Sequence, residues 1–274
     1  MNQLLVSLNV KALIVGIFIP IIMEAQSPYK FSLKNEVPYI VSGMSLMGIG
    51  VMLKNKNADK QITIEDIKNL DISNVNSFDR VAVYNNSYSA RKASDVLQYG
   101  SLGLPILFLT INQSKKDFLK LIVMGIEVHT INSGLTLTAK QYFGRARPLV
   151  YNPEFSIEER TSESARLSFF SGHTSATAAM TVFTAKVIND YHPNMNSGLK
   201  LGMWSTALII PAATGYFRVQ GGKHFATDVI TGFAVGSMVG WLVPHLHKVY
   251  DNSRISLVPM NYSGYNGFYL SCKI

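Results

Sequence analysis

Apolar residues in this chain gather in long runs, and the polar residues between them fall into short clusters. From 37 to 53 nearly every position is apolar or small, with Gly43, Gly48 and Gly50 among them. Such glycine content suits helices that pack closely or lie in a membrane. The polar stretch 55–60 ends that helix. Ile64, Ile67 and Leu70 then carry a short amphipathic pattern, and 78–88 reads as a surface or interfacial helix. Ser94 and Asp95 supply an N-cap for a helix over 96–111 that contains Pro105. The helix 117–143 is apolar on most faces yet holds Glu127, His129, Asn132 and Ser133. A polar segment, 149–167, reads as a loop or short lid. Three more apolar helices follow over 172–189, 199–217 and 225–242. The end differs: Phe268, Leu270, Cys272 and Ile274 alternate with polar residues, and 254–260 is rich in β-formers. That pattern predicts a β-hairpin. A lone hairpin is marginally stable, so it is expected to pack on the helices.

Composition moves this picture towards a membrane. Hydrophobic residues make up 47% of the 274 and charged residues 15%, where soluble domains average about 25% charged. The reading is therefore an all-α fold: a multi-helix bundle of about six core helices, membrane-embedded, with a small C-terminal β-hairpin. The apolar run 12–23 follows Lys11 and resembles an export signal. It is short for a span, which needs about 20 apolar residues. Residues 1–26 are read as a signal peptide or N-terminal hydrophobic segment, 27–250 as the functional domain and 251–274 as the hairpin tail. The net charge of +8 favours anionic partners. No basic run is interleaved with aromatics, so nucleic acid is not among them. One cysteine, Cys272, excludes an intrachain disulfide and a thiolate metal site.

Three polar clusters carry the candidate chemistry. In the first, Lys140 and Arg147 stand seven residues apart, about 10.5 Å and two turns along one helix face. Pro148 disfavours helical geometry at Arg147 and splays it out of the helix. In the second, Ser171, Gly172 and His173 precede a helical run. A Ser N-cap and the free N–H groups of a first turn make an anion cradle, with His173 aimed at the bound group. In the third, His224 and Asp228 are spaced i, i+4, so on a helix the carboxylate reaches the Nδ1 hydrogen and leaves Nε2 free. Arg218 adds a bidentate donor, and Gly221 and Gly222 let backbone approach a phosphate. Each cluster alone is more ordinary: snorkelling cations, a capped helix, a surface hydrogen bond. Elsewhere, His129 reads as a packed histidine, and His245 and His247 as a solvated interfacial face rather than a metal site. Glu127 reads as an internal pairing partner or the mark of a water-filled cleft.

In order, Lys140-x6-Arg147-Pro148, Ser171-Gly172-His173 and Arg218-x5-His224-x3-Asp228 resemble the signature of the type 2 phosphatidic acid phosphatase (PAP2) and vanadium haloperoxidase superfamily. The resemblance covers about 140–228. It implies that His224 is a nucleophile forming a phosphohistidine, oriented by Asp228. It implies that His173 protonates the leaving oxygen, while Lys140, Arg147, Ser171, Gly172 and Arg218 bind the phosphoryl oxygens. No metal and no other cofactor is expected. Phe170 and Phe217 stand where the family usually has proline and often has serine, and neither removes a reacting atom. The expected activity is hydrolysis of a phosphomonoester or pyrophosphate of a membrane lipid, with the membrane as the other partner. The expected location is the inner membrane of a bacterial envelope with the site facing the periplasm, since the distribution of Lys and Arg puts all three clusters on the outer side. A soluble periplasmic acid phosphatase and a vanadium haloperoxidase are the alternatives.

Overall fold

Helix α4, Gly172–Tyr191, forms the axis of the molecule: fifteen of its twenty residues are buried. The residues themselves explain this. Runs such as Ser175-Ala176-Thr177-Ala178-Ala179 offer little bulk on any side, and a helix without a polar face is a buried one. In the computed structural model, which describes residues 27–249, 255–262 and 265–272, five other long helices accompany it. They are α1 (Leu33–Lys56), α2 (Tyr88–Leu102), α3 (Phe118–Phe143), α5 (Ser197–Gln220) and α6 (Ala226–His247). Helix α4 touches α2, α3, α5 and α6, while α1 lies along α3. The core joins Phe108, Leu121, Met124, Val128, Met180, Phe183, Val187, Val239 and Val243.

Close approach of backbones sets the register of α4 against α6. A Cβ at Gly232 would sit 2.6 Å from the Ser171 carbonyl oxygen, and Gly236 and Gly240 lie still closer to the Ser175 and Ala179 carbonyls. Glycines every four residues along α6 thus face carbonyls every four residues along α4, the small-residue packing common between membrane helices. The outer face of α1 is apolar and exposed, with Val41, Met44, Val51 and Met52 pointing outwards. Three helical segments are long and apolar enough to cross a membrane: Glu36–Lys56, Phe118–Tyr151 and Ala226–His247.

Several expectations shift. Ser94 and Asp95 do not cap a helix; α2 starts earlier, at Tyr88, and Ser87 caps it. Pro105 falls in a separate 3-10 segment, Leu104–Leu109, where its missing N–H costs nothing. The segment after Arg147 is no open lid. It forms short turns of helix, Pro148–Tyr151, Ile157–Arg160 and Glu163–Arg166, pinned by a cluster of Leu149, Val150, Phe155 and Ala165. His247 is not solvated but 3% exposed. The expected segment 1–26 lies outside the described residues. The backbone pairs Ile255–Tyr262 with Tyr265–Cys272 antiparallel, but the structure gives no support for the expected seating of this tail on the helices.

Candidate active site

All eight candidate residues come together at one end of the bundle. Lys140 lies in the last turn of α3, which stops at Phe143 because Gly144 takes a left-handed conformation (φ 53°). Arg147 is therefore not on that helix. It precedes Pro148 in extended backbone (φ −81°, ψ 159°), as a residue before proline should. The two cations converge without sharing a helix face. Lys140 Nζ donates to the Leu167 carbonyl at 2.7 Å, and Arg147 Nη2 donates to the same oxygen at 3.4 Å.

Ser171 is the N-cap of α4, and its Oγ accepts from the Thr174 N–H. Its own N–H donates to the Asp228 carbonyl at 3.0 Å, which ties the second cluster to the third. Beside Gly172 lie the Thr136 methyl and the Lys140 side chain, 3.2 and 3.6 Å from where a Cβ would sit. His173 Nε2 meets Asp95 Oδ1 at 2.9 Å, and Arg218 Nη1 lies 3.5 Å from the same oxygen. Asp95 thus joins the histidine of α4 to the arginine of α5.

His224 precedes α6, whose first residue is Ala226, so the i, i+4 helical argument does not apply as expected. The carboxylate still faces the ring. Asp228 Oδ2 lies 3.6 Å from His224 Nδ1, just beyond hydrogen-bond length. Asp228 is instead held by others. It accepts from Ser168 Oγ at 2.5 Å, from the Phe225 N–H at 3.0 Å and from Arg145 Nη1 at 2.6 Å. Arg145 also bonds Asp79 Oδ2 at 2.7 Å and lies over the Phe225 ring, 4.2 Å from its centroid. Asp79 in turn accepts from the Thr227 N–H at 2.9 Å. Burial works against the Asp79 carboxylate, but its bonds from Thr227, Arg145 and Asn76 hold it below the usual carboxylate range. Gly222 has φ 65° and turns towards Asn85 and Phe155. Its freedom serves the turn, not the approach of a phosphate.

Positive charge is concentrated and incompletely partnered. His224 is 1% and Arg218 6% exposed. Arg147 Nε, Arg218 Nε and His224 Nδ1 are buried without a hydrogen-bond partner. Burial, together with Lys140, Arg147 and Arg218, holds the His224 imidazole well below its ordinary range, so it is neutral. Burial and the Arg218 guanidinium push His173 down to about 4, while Asp95 pulls it the other way.

The pattern of the three clusters marks the eight predicted residues but misses their supports. Asp95 looks like a cap. Arg145 lies inside the first cluster but has no assigned role. Asp79 and Ser168 have no local signal at all.

A buried histidine, kept neutral and ringed by three cations with two unpartnered guanidinium N–H groups among them, suits a phosphoryl-like oxyanion. Residues 119–250 match the family model described as PAP2 superfamily. That segment contains all eight residues. A stretch of 119 residues is 34% identical to the lipid A 4'-phosphatase of Porphyromonas gingivalis; it covers 42% of this chain and 44% of that protein. The chain thus spans less than half of that relative's length in the match. The crystal structure of a transmembrane PAP2-type phosphatidylglycerolphosphate phosphatase from Bacillus subtilis is similar over 75% of this chain and 95% of that one. The TM-score is 0.46 and the identity 21%.

Proposed function

We propose that this protein is a membrane phosphatase that hydrolyses a phosphomonoester or pyrophosphate of a lipid headgroup through a phosphohistidine. The observation that carries the reading is the set of buried, unpartnered guanidinium N–H groups around a neutral His224. Buried N–H groups without an acceptor are costly, and phosphoryl oxygens would supply the acceptors. The lipid A 4'-phosphatase relative makes lipid A bearing a 4'-phosphate the first substrate to assay.

In the proposed reaction His224 Nε2 attacks phosphorus, because Nδ1 faces Asp228. The bond to the leaving oxygen breaks, and His173 supplies that oxygen's proton. Lys140, Arg147, Arg218, Ser171 and the Gly172 N–H bind the phosphoryl oxygens as charge builds. Water, deprotonated by His173, then attacks phosphorus. The P–N bond breaks, releasing phosphate and the free imidazole. Domain 27–250 holds all of this machinery. In the proposed orientation the site opens towards the periplasm. The exposed apolar face of α1 and the three apolar segments support membrane residence over a soluble phosphatase.

Acid-stable lipid phosphate and an acid-labile enzyme phosphate are easily told apart. Rapid quench with labelled substrate should give label on histidine in the unaltered protein and none in His224→Ala. Label on serine, or full activity of the variant, would overturn the assignment.

A further inference from the structure

The opposite end of the bundle holds a second cluster of buried titratable groups. Glu36 sits in the first turn of α1, Glu127 inside α3 and His247 at the end of α6. One ligand atom from each lies within 4.8 Å of the others. His247 Nε2 stands 3.0 Å from Glu36 Oε2 and 3.3 Å from Glu127 Oε2. All three residues are buried: Glu36 is 8% exposed, Glu127 1% and His247 3%.

Hydrogen-bond chemistry shows what is missing from this arrangement. His247 Nδ1 lies 2.8 Å from the Val243 carbonyl oxygen. A carbonyl only accepts, so Nδ1 carries a hydrogen, and Nε2 is the ring atom turned towards the two carboxylates. Both Glu127 oxygens are buried without a hydrogen-bond partner. A divalent cation bound between them would balance the charge of both carboxylates. The nearest lysine in sequence, Lys248, is already committed to Asp190 at 2.8 Å.

We propose that Glu36, Glu127 and His247 form a binding site for a divalent transition-metal ion of the Zn2+ class. Bonds of about 2.0–2.1 Å at tetrahedral angles put ligand atoms roughly 3.3 Å apart, which is the spacing His247 Nε2 makes with the two carboxylates. The His247 Nδ1 bond to a backbone carbonyl is the support that metal-bound histidines commonly have. The Ser32 N–H bonds the other Glu36 oxygen at 3.2 Å, which fixes that carboxylate in turn. The site lies at the far end of α6 from Asp228, roughly 28 Å along the helix at 1.5 Å per residue, so its role is to clamp α1 and α6 to α3. It stands apart from the phosphoryl chemistry, which uses none of these residues.

The test uses the full chain purified in detergent, stripped with a chelator, then given Zn2+ or Co2+ alone. We expect about one tightly held metal per chain, a Co2+ absorption band typical of low coordination number, and a rise in melting temperature on Zn2+ addition. Glu127→Gln and His247→Gln, read in parallel, should lose both the band and the rise. Should either variant fail to fold, Co2+ titration of the unaltered protein still decides whether a site exists, and Glu36→Gln decides whether it lies here. Failure of the unaltered protein to retain metal or gain stability would overturn the proposal. So would a metal retained equally by Glu36→Gln and Glu127→Gln, which would place it elsewhere.

Discussion

Two buried histidines stand at opposite ends of this bundle, each with a carboxylate beside it, and their surroundings have opposite sign. His224 is ringed by Lys140, Arg147 and Arg218. His247 is faced by Glu36 and Glu127. Asp228 and His247 share α6 and are separated by roughly 28 Å at 1.5 Å per residue. A histidine–carboxylate contact therefore says little about chemistry by itself. The charge left unbalanced around it says more: an excess of cations calls for an oxyanion, and an excess of carboxylates calls for a metal or a proton.

The sharpest way to break this comparison is to remove one histidine and watch both ends. His224→Ala should lower turnover by about 10⁴-fold or more, while metal retention by the distal cluster stays unchanged. Loss of both properties in that variant would show that the two ends are not independent. Arg145→Ala should act on stability instead. It leaves the buried Asp79 and Asp228 carboxylates without their shared cation, a change that costs about 3–5 kcal/mol. Thermal unfolding in detergent should show a large drop in melting temperature, and an unchanged midpoint would contradict the role given to the bridge. Asp95→Asn is subtler. The carboxylate raises the His173 pKa, so removing it should lower that pKa further. A step that needs protonated His173 fails as pH rises through this pKa. The alkaline limb of the kcat/KM profile should thus move to lower pH. Activity at pH 7 should fall about tenfold for every whole pH interval the limb travels. A limb that stays in place would remove Asp95 from the reaction. Ser171→Ala is the mildest, costing about 1 kcal/mol through the lost N-cap. Binding of vanadate, a phosphate mimic, should weaken along with it.

The parts of this architecture legible in the sequence are those that depend on local pattern. Long apolar runs mark α1, α3, α4, α5 and α6, and three motifs mark the eight residues that the fold brings together around His224. Pro148 foretells the extended backbone at Arg147. What the pattern does not carry is anything decided by distant partners. Ser94 and Asp95 have the composition of a cap, yet the helix passes through them because Ser87 caps it earlier. Their value lies in facing α4 and α5, from which His173 and Arg218 reach Asp95. Arg145 shows the same limit, since both its carboxylates lie more than sixty residues away in sequence. His247 resembles a solvated helix end in sequence because its burial comes from Glu36, Phe31 and Tyr39, near the other end of the chain.

The glycine track between α4 and α6 has a consequence for catalysis at a distance. The proposed acid rides on α4 and the proposed nucleophile is carried by the turn leading into α6, so their separation is the offset between two rods. Three glycines set that offset by admitting three carbonyls. A methyl at Gly236 would act as a wedge under one rod, and the tilt it causes would grow with distance from the wedge. His224 and His173 would then drift out of alignment although no atom near them had changed. The geometry of the proposed site is gauged in the middle of the bundle, well away from the chemistry proposed for it.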